Sequence, residues 1–204
     1  MAKSWRRRSH FQSSKFRPYA VAIGQMNMVW NDLHEELGLL FQRVMLDKPI
    51  NVGAPGRLRV IWGLISSDRQ KRLLLEGVSE WLGQQRHLKF PTLADDLKFL
   101  VRKGHTLEDR RNDVIHAPLD EHRNALSLGT MGEVYANNLN TRGRKLTGAT
   151  RKSNQQLLSV IRLYRDYAIV LARYAEAIRL AWIAGESGRR RAWPKRPLLP
   201  PLKD

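Results

Sequence analysis

The chain contains no cysteine. That excludes disulfides, thiolate metal sites and a cysteine nucleophile, and it fits a reducing compartment such as the cytoplasm. Acids are missing from the start, since none precedes Asp32. Long apolar runs are missing too. The uncharged stretch from Pro18 to Asn31 is interrupted by Gln25 and Asn27 and is too short to cross a bilayer, so no membrane partner is expected. No apolar run follows the N-terminal charges closely enough to form a secretory signal. The glycines never fall into a P-loop or dinucleotide-binding pattern, and nothing repeats at a solenoid period. The six histidines are scattered, His34 beside Glu35 being the nearest approach to a metal-ligand pair, so neither metal nor cofactor is expected.

What is present in excess is positive charge. The 204 residues carry a net charge of +17, unevenly distributed. Residues 1–17 hold Lys3, Arg6, Arg7, Arg8, Lys15 and Arg17; residues 189–204 hold Arg189, Arg190, Arg191, Lys195, Arg196 and Lys203, against the single acid Asp204. These two segments supply +11 of the total and leave the body +6. A basic N-terminal arm and a basic, Pro-rich C-terminal tail around a milder body point to a polyanion, most often nucleic acid. The Arg- and Ser-rich, acid-free start also has the composition of an organellar transit peptide, which stands as the alternative to a cytoplasmic location.

Between the arms, residues 18–188 read as one helical domain. A first helix begins near Pro18 and carries the stripe Ile23, Met26, Trp30, Leu33, Leu37, Leu40 and Val44, a three-four alternation that marks a buried face. Asn31, Asp32, His34, Glu35 and Glu36 lie off that stripe and are expected to face water. A second helical region spans about Arg57 to Gln85. It is predicted to break at Ser66–Gln70, where Ser67 and Gln70 form a capping box. A third helix follows Phe90–Pro91, with Thr92 as its cap. Thr106 and Asp109 repeat the cap pattern after Gly104, so the alternatives are a helix interrupted there and a continuous one, with residues 111–116 helical in both. Residues 119–149 lose the helical period, and Glu133–Ala136 alternates in a way that suits a small hairpin. A final long helix runs from about Ser153 to Gly185. The expected fold is an all-α, up-and-down bundle of four to five helices with a loop or small β-hairpin inserted before the last one.

The most informative stretch lies at the end of the third helix: Asp109-Arg110-Arg111-Asn112-Asp113-Val114-Ile115-His116-Ala117-Pro118. Following Leu93, Leu97, Leu100, Gly104 and Leu107 in steps of three and four, the next stripe positions are Arg111 and Val114. A cation at a position assigned to the core must be paired, solvated in a cleft or functional. His116 lies four residues after Asn112 and on the same face of the helix.

An arginine followed by a polar amide and, after three residues, a histidine resembles the R-x(4–6)-H motif of the HEPN (higher eukaryotes and prokaryotes nucleotide-binding) superfamily. Arg110 fits the same spacing, although Arg111 is the one directly followed by the amide. The resemblance covers residues 18–186 in architecture and Arg111, Asn112 and His116 in motif; the arms and the insertion lie outside it. It implies a metal-independent endoribonuclease acting on RNA through 2′-hydroxyl attack, as a toxin or defence effector. It also implies a homodimer formed through the motif-bearing helix and a cognate antitoxin or regulatory protein as partner. Arg111, Asn112 and His116 would be catalytic. Arg6, Arg7, Arg8, Arg110, Arg142, Arg144, Lys145, Arg189, Arg190 and Arg191 would hold the nucleic acid. The alternative from a different class is a non-catalytic helical module that binds RNA or a protein.

Overall fold

A computed structural model describes residues 17–46, 54–84, 90–115, 119–122, 133–136, 154–189 and 191–202. Among them are five helices: α1 (Arg17–Met45), α2 (Ala54–Leu64), α3 (Asp68–Gly83), α4 (Leu93–Ile115) and α5 (Asn154–Glu186). Between α4 and α5, β1 (Leu119–His122) pairs antiparallel with β2 (Glu133–Ala136), Leu119 opposite Ala136 and His122 opposite Glu133. The fold is an all-α bundle carrying a short hairpin, in line with the 3.6-residue period and with the alternation at residues 133–136. None of the described helices is long and apolar enough to cross a membrane.

The chain divides into two compact units, with the divisions falling inside α1, α4 and α5. The larger unit comprises residues 28–109 and 166–201. Its core is the α1 stripe Trp30, Leu33, Leu37, Leu40 and Val44, with Leu75, Val78 and Leu82 of α3. Leu93, Leu97, Leu100 and Leu107 of α4 and Leu171, Tyr174 and Ile178 of α5 complete it. The smaller unit comprises residues 1–27, 110–165 and 202–204, and among its described residues Tyr19, Ala22 and Met26 of α1 are buried with Ile161 and Tyr164 of α5.

Local chemistry sets the helix boundaries. Ser67 is extended and its hydroxyl accepts from the Gln70 backbone N–H at 3.4 Å, so the predicted break between α2 and α3 is a helix N-cap. α4 shows no interruption at Gly104. Thr106 does not cap a new helix because its hydroxyl donates to the Arg102 carbonyl one turn back, at 3.1 Å. α5 closes at Gly188, whose φ of +72° is left-handed and suits a residue without Cβ, while the Arg189 N–H reaches the Ala184 carbonyl at 2.9 Å.

α2 contributes less to the core than its apolar content suggests. Val60, Ile61 and Leu64 are exposed, and Trp62 is the side chain that enters the core, stacked on Phe41 with centroids 5.3 Å apart. Its indole lies so close to Gly38 that a Cβ there would come within 2.6 Å of Nε1. A glycine at position 38 thus admits the tryptophan.

Candidate functional site

Arg111 takes its place on the α4 stripe within the smaller unit and is half-buried. Its guanidinium donates from Nη1 to Asn112 Oδ1 at 2.9 Å and from Nη2 to Asn27 Oδ1 at 2.8 Å. Both acceptors are neutral amides, and these two hydrogen bonds orient the guanidinium. Asn27 was not singled out by sequence as a site residue. Its trace was nevertheless visible, as one of the two amides that interrupt the uncharged run at the start of α1. The other, Gln25, accepts from Arg165 Nη1 at 2.9 Å.

The cation on the stripe thus has amide acceptors within its own chain. The Asn112 side chain, named above as a candidate catalytic group, accepts from Arg111 through its carbonyl oxygen. Of the remaining sequence-derived residues, Arg110 is half-buried on α4, and Arg189 and Arg191 are exposed. His116, Arg6, Arg7, Arg8, Arg142, Arg144, Lys145 and Arg190 lie outside the described residues.

The larger unit holds a second polar cluster, centred on Arg72, which sequence reading did not single out. Arg72 is completely buried and lies with its guanidinium carbon 5.4 Å from the centre of the Trp30 ring. Nη2 donates to Glu108 Oε2 at 2.5 Å and lies 3.5 Å from His105 Nδ1; Nη1 donates to His34 Nε2 at 2.7 Å. Since Nε2 accepts from a cation, the His34 ring is neutral and protonated on Nδ1, which donates to the Trp30 carbonyl at 3.0 Å. Burial is the main reason the His34 pKa falls from 6.5 to about 4, opposed by Asp68 and the Trp30 carbonyl and reinforced by Arg72. Burial and Arg72 likewise lower His105. Burial pulls Arg72 down from its ordinary value, with Glu108 and Asp68 acting against it. Trp30 Nε1 donates to Asp68 Oδ2 at 2.9 Å and completes the cluster. His34 is therefore buried rather than water-facing, and Glu36 pairs with Arg179 at 3.0 Å; of the five residues expected to face water, Asn31, Asp32 and Glu35 do. Glu108, a plausible partner for Arg111 on spacing alone, is committed to Arg72.

The C-terminal segment departs from a solvated tail at two residues. Trp193 Nε1 and Arg196 Nε donate to the two oxygens of buried Asp96 at 2.8 and 2.6 Å, and Trp193 stacks on Phe90 with centroids 4.7 Å apart. Burial alone would raise the Asp96 pKa. Hydrogen bonds led by those from Trp193 and Arg196 outweigh it and hold the carboxyl below its usual range.

Among the described residues no group of His, Asp and Glu is arranged to hold a metal ion. Compared with protein-family models, curated proteins and solved structures, the chain matches none. The class defined by fold and site is thus an all-α bundle with an amide-held arginine at the end of one helix.

Proposed function

We propose that this protein is a metal-independent endoribonuclease of HEPN type. The observation that carries the reading is Arg111, whose guanidinium is set by Asn112 and Asn27 at the end of α4, five residues before His116 in the chain. His116 enters on the sequence motif. An imidazole near neutral pH can take the proton of a ribose 2′-hydroxyl as its oxygen attacks the adjacent phosphorus. A guanidinium can hold two non-bridging phosphate oxygens while negative charge builds on them. The 5′-oxygen leaves with a proton, giving a 2′,3′-cyclic phosphate and a 5′-hydroxyl. Asn112 and Asn27 act as positioning residues for Arg111. The reaction needs the 2′-hydroxyl, so RNA is cleaved and DNA is not.

The test is cleavage of a labelled RNA, with product ends identified. His116→Ala should abolish cleavage with the helical circular-dichroism signal intact. Arg111→Ala should lower the rate by about two to three orders of magnitude, the usual cost of losing a charge-stabilising donor. Asn27→Ala should lower it less, and a chelator should change nothing. Undiminished cleavage by His116→Ala, with contaminating nuclease excluded, removes His116 from the mechanism, whereas RNA bound but left uncut by the parent chain favours the non-catalytic RNA-binding reading.

A further inference from the structure

The smaller unit contains an open groove of about 660 Å³ lined by Arg17, Pro18, Val21, Ala22 and Gln25 of α1 and by Arg162 and Arg165 of α5. Three guanidinium groups line it, and among its described lining residues there is no acid. Arg17, Val21 and Gln25 recur every four residues and share one face of α1, and Arg162 and Arg165, three apart, share a face of α5. Like charges gathered along one groove repel one another and gain when an anion enters. Pro18 and Val21, both exposed, add an apolar strip beside the cations. Arg165 is oriented by its 2.9 Å hydrogen bond to Gln25.

We infer that this groove binds a segment of single-stranded RNA, its phosphates on Arg17, Arg162 and Arg165 and a base lying over Pro18 and Val21. A guanidinium grips phosphate oxygens through paired N–H groups, and an unstacked base offers a flat apolar face to such a strip. The choice of RNA as the strand rests on the ribonuclease reading; the groove's chemistry for phosphate and base does not. The groove is separate from the Arg111 site. Asn27 lies two positions beyond Gln25, about 200° further round α1, and so faces the other side of that helix. The strand is therefore held at a place removed from the bond that is cut, as a tethering site that governs affinity.

The test uses the full chain in a His116→Ala background, so that RNA survives the measurement, with fluorescence anisotropy of a short labelled single-stranded RNA over a range of salt. Arg17 and Arg162 are exposed, so Arg17→Glu with Arg162→Glu should fold normally. A control, Arg57→Glu with Arg173→Glu, makes the same charge change at exposed positions in the larger unit. The groove variant should bind at least about tenfold more weakly and lose about two from its salt slope, with the control much closer to the parent. Arg165→Gln should weaken binding in the same direction. Equal losses in groove and control variants, or no loss in the groove variant, would overturn the proposal. So would polyglutamate displacing RNA as effectively as unlabelled RNA of equal charge, since the groove would then be a seat for an acidic protein. If chains with His116 intact fail to cleave while binding still depends on the groove, the tethering site stands and the ribonuclease reading falls.

Discussion

At the residue scale, burial decides which charges matter. His34 is kept neutral between the Trp30 carbonyl and Arg72, with its pKa lowered to about 4. In the unfolded chain it titrates near 6.5, so below that pH the unfolded state gains a proton that the folded state refuses. Stability is thus fully present above about 6.5 and falls as the pH drops towards 4, by about 3 kcal/mol in all. Urea midpoints measured across this window should show that slope, and His34→Gln should flatten it while lowering stability at neutral pH. Asp96 titrates in a separate, more acidic window. Its folded pKa is depressed, so its contribution is present above the unfolded value and is lost as pH falls through the folded one. Gly104 is a second sensitive residue, because a Cβ there would stand 2.9 Å from Arg72 Cδ. Gly104→Ala should cost about 1–3 kcal/mol through overpacking beside a completely buried guanidinium, read from chemical denaturation. An unchanged midpoint would mean that Arg72 has room to move.

At the scale of elements, the C-terminal segment behaves as a strap. Trp193 and Arg196 supply both donors that the Asp96 oxygens receive from residues beyond α5, and Trp193 extends the aromatic stack of Phe90 and Trp182. Phe90 itself presses on Gly185, where a Cβ would come within 2.5 Å of its ring. Ending the chain before Trp193 leaves a buried carboxylate short of donors, which is costlier than losing the same charge from the surface. Such a truncation should lower stability by about 2–4 kcal/mol. Asp96→Asn should be destabilising in the full chain and much less so in the truncated one, a coupling that a double-mutant cycle reads directly. Independent effects would show that the strap does not act through Asp96.

At the scale of the whole molecule, the proposed HEPN-type reading predicts a homodimer through the motif-bearing helix. Two copies of the Arg111 site facing one another would repel unless an anion lay between them, and an isologous contact places each group opposite its own copy. Phosphate should therefore tighten self-association, and sedimentation velocity at micromolar protein with and without phosphate is the measurement. A single monomeric species under both conditions would defeat the composite site while leaving Arg111 and its two amides in place within one chain.

The helical period in α1, α4 and α5, the Ser67 cap and the short β alternation were legible from sequence because each depends on neighbours within a few residues. Arg111 was legible for the same reason, as a cation on an otherwise apolar stripe, and so was the amide after it. Its other partner, Asn27, is 84 positions away, and local pattern carries no pairing over that distance. The Arg72 cluster was hidden in the same way. Arg72, His34 and Glu108 look like ordinary charged or polar helix residues until packing removes water from them, and only then must they satisfy one another. The groove likewise gathers Arg17 and Arg162, 145 positions apart in the chain, by the packing of two helices. Sequence determined where the helices form and which faces they bury. Tertiary structure decided which charges meet, because the energy of a charge depends on what surrounds it in space and not on what adjoins it in the chain.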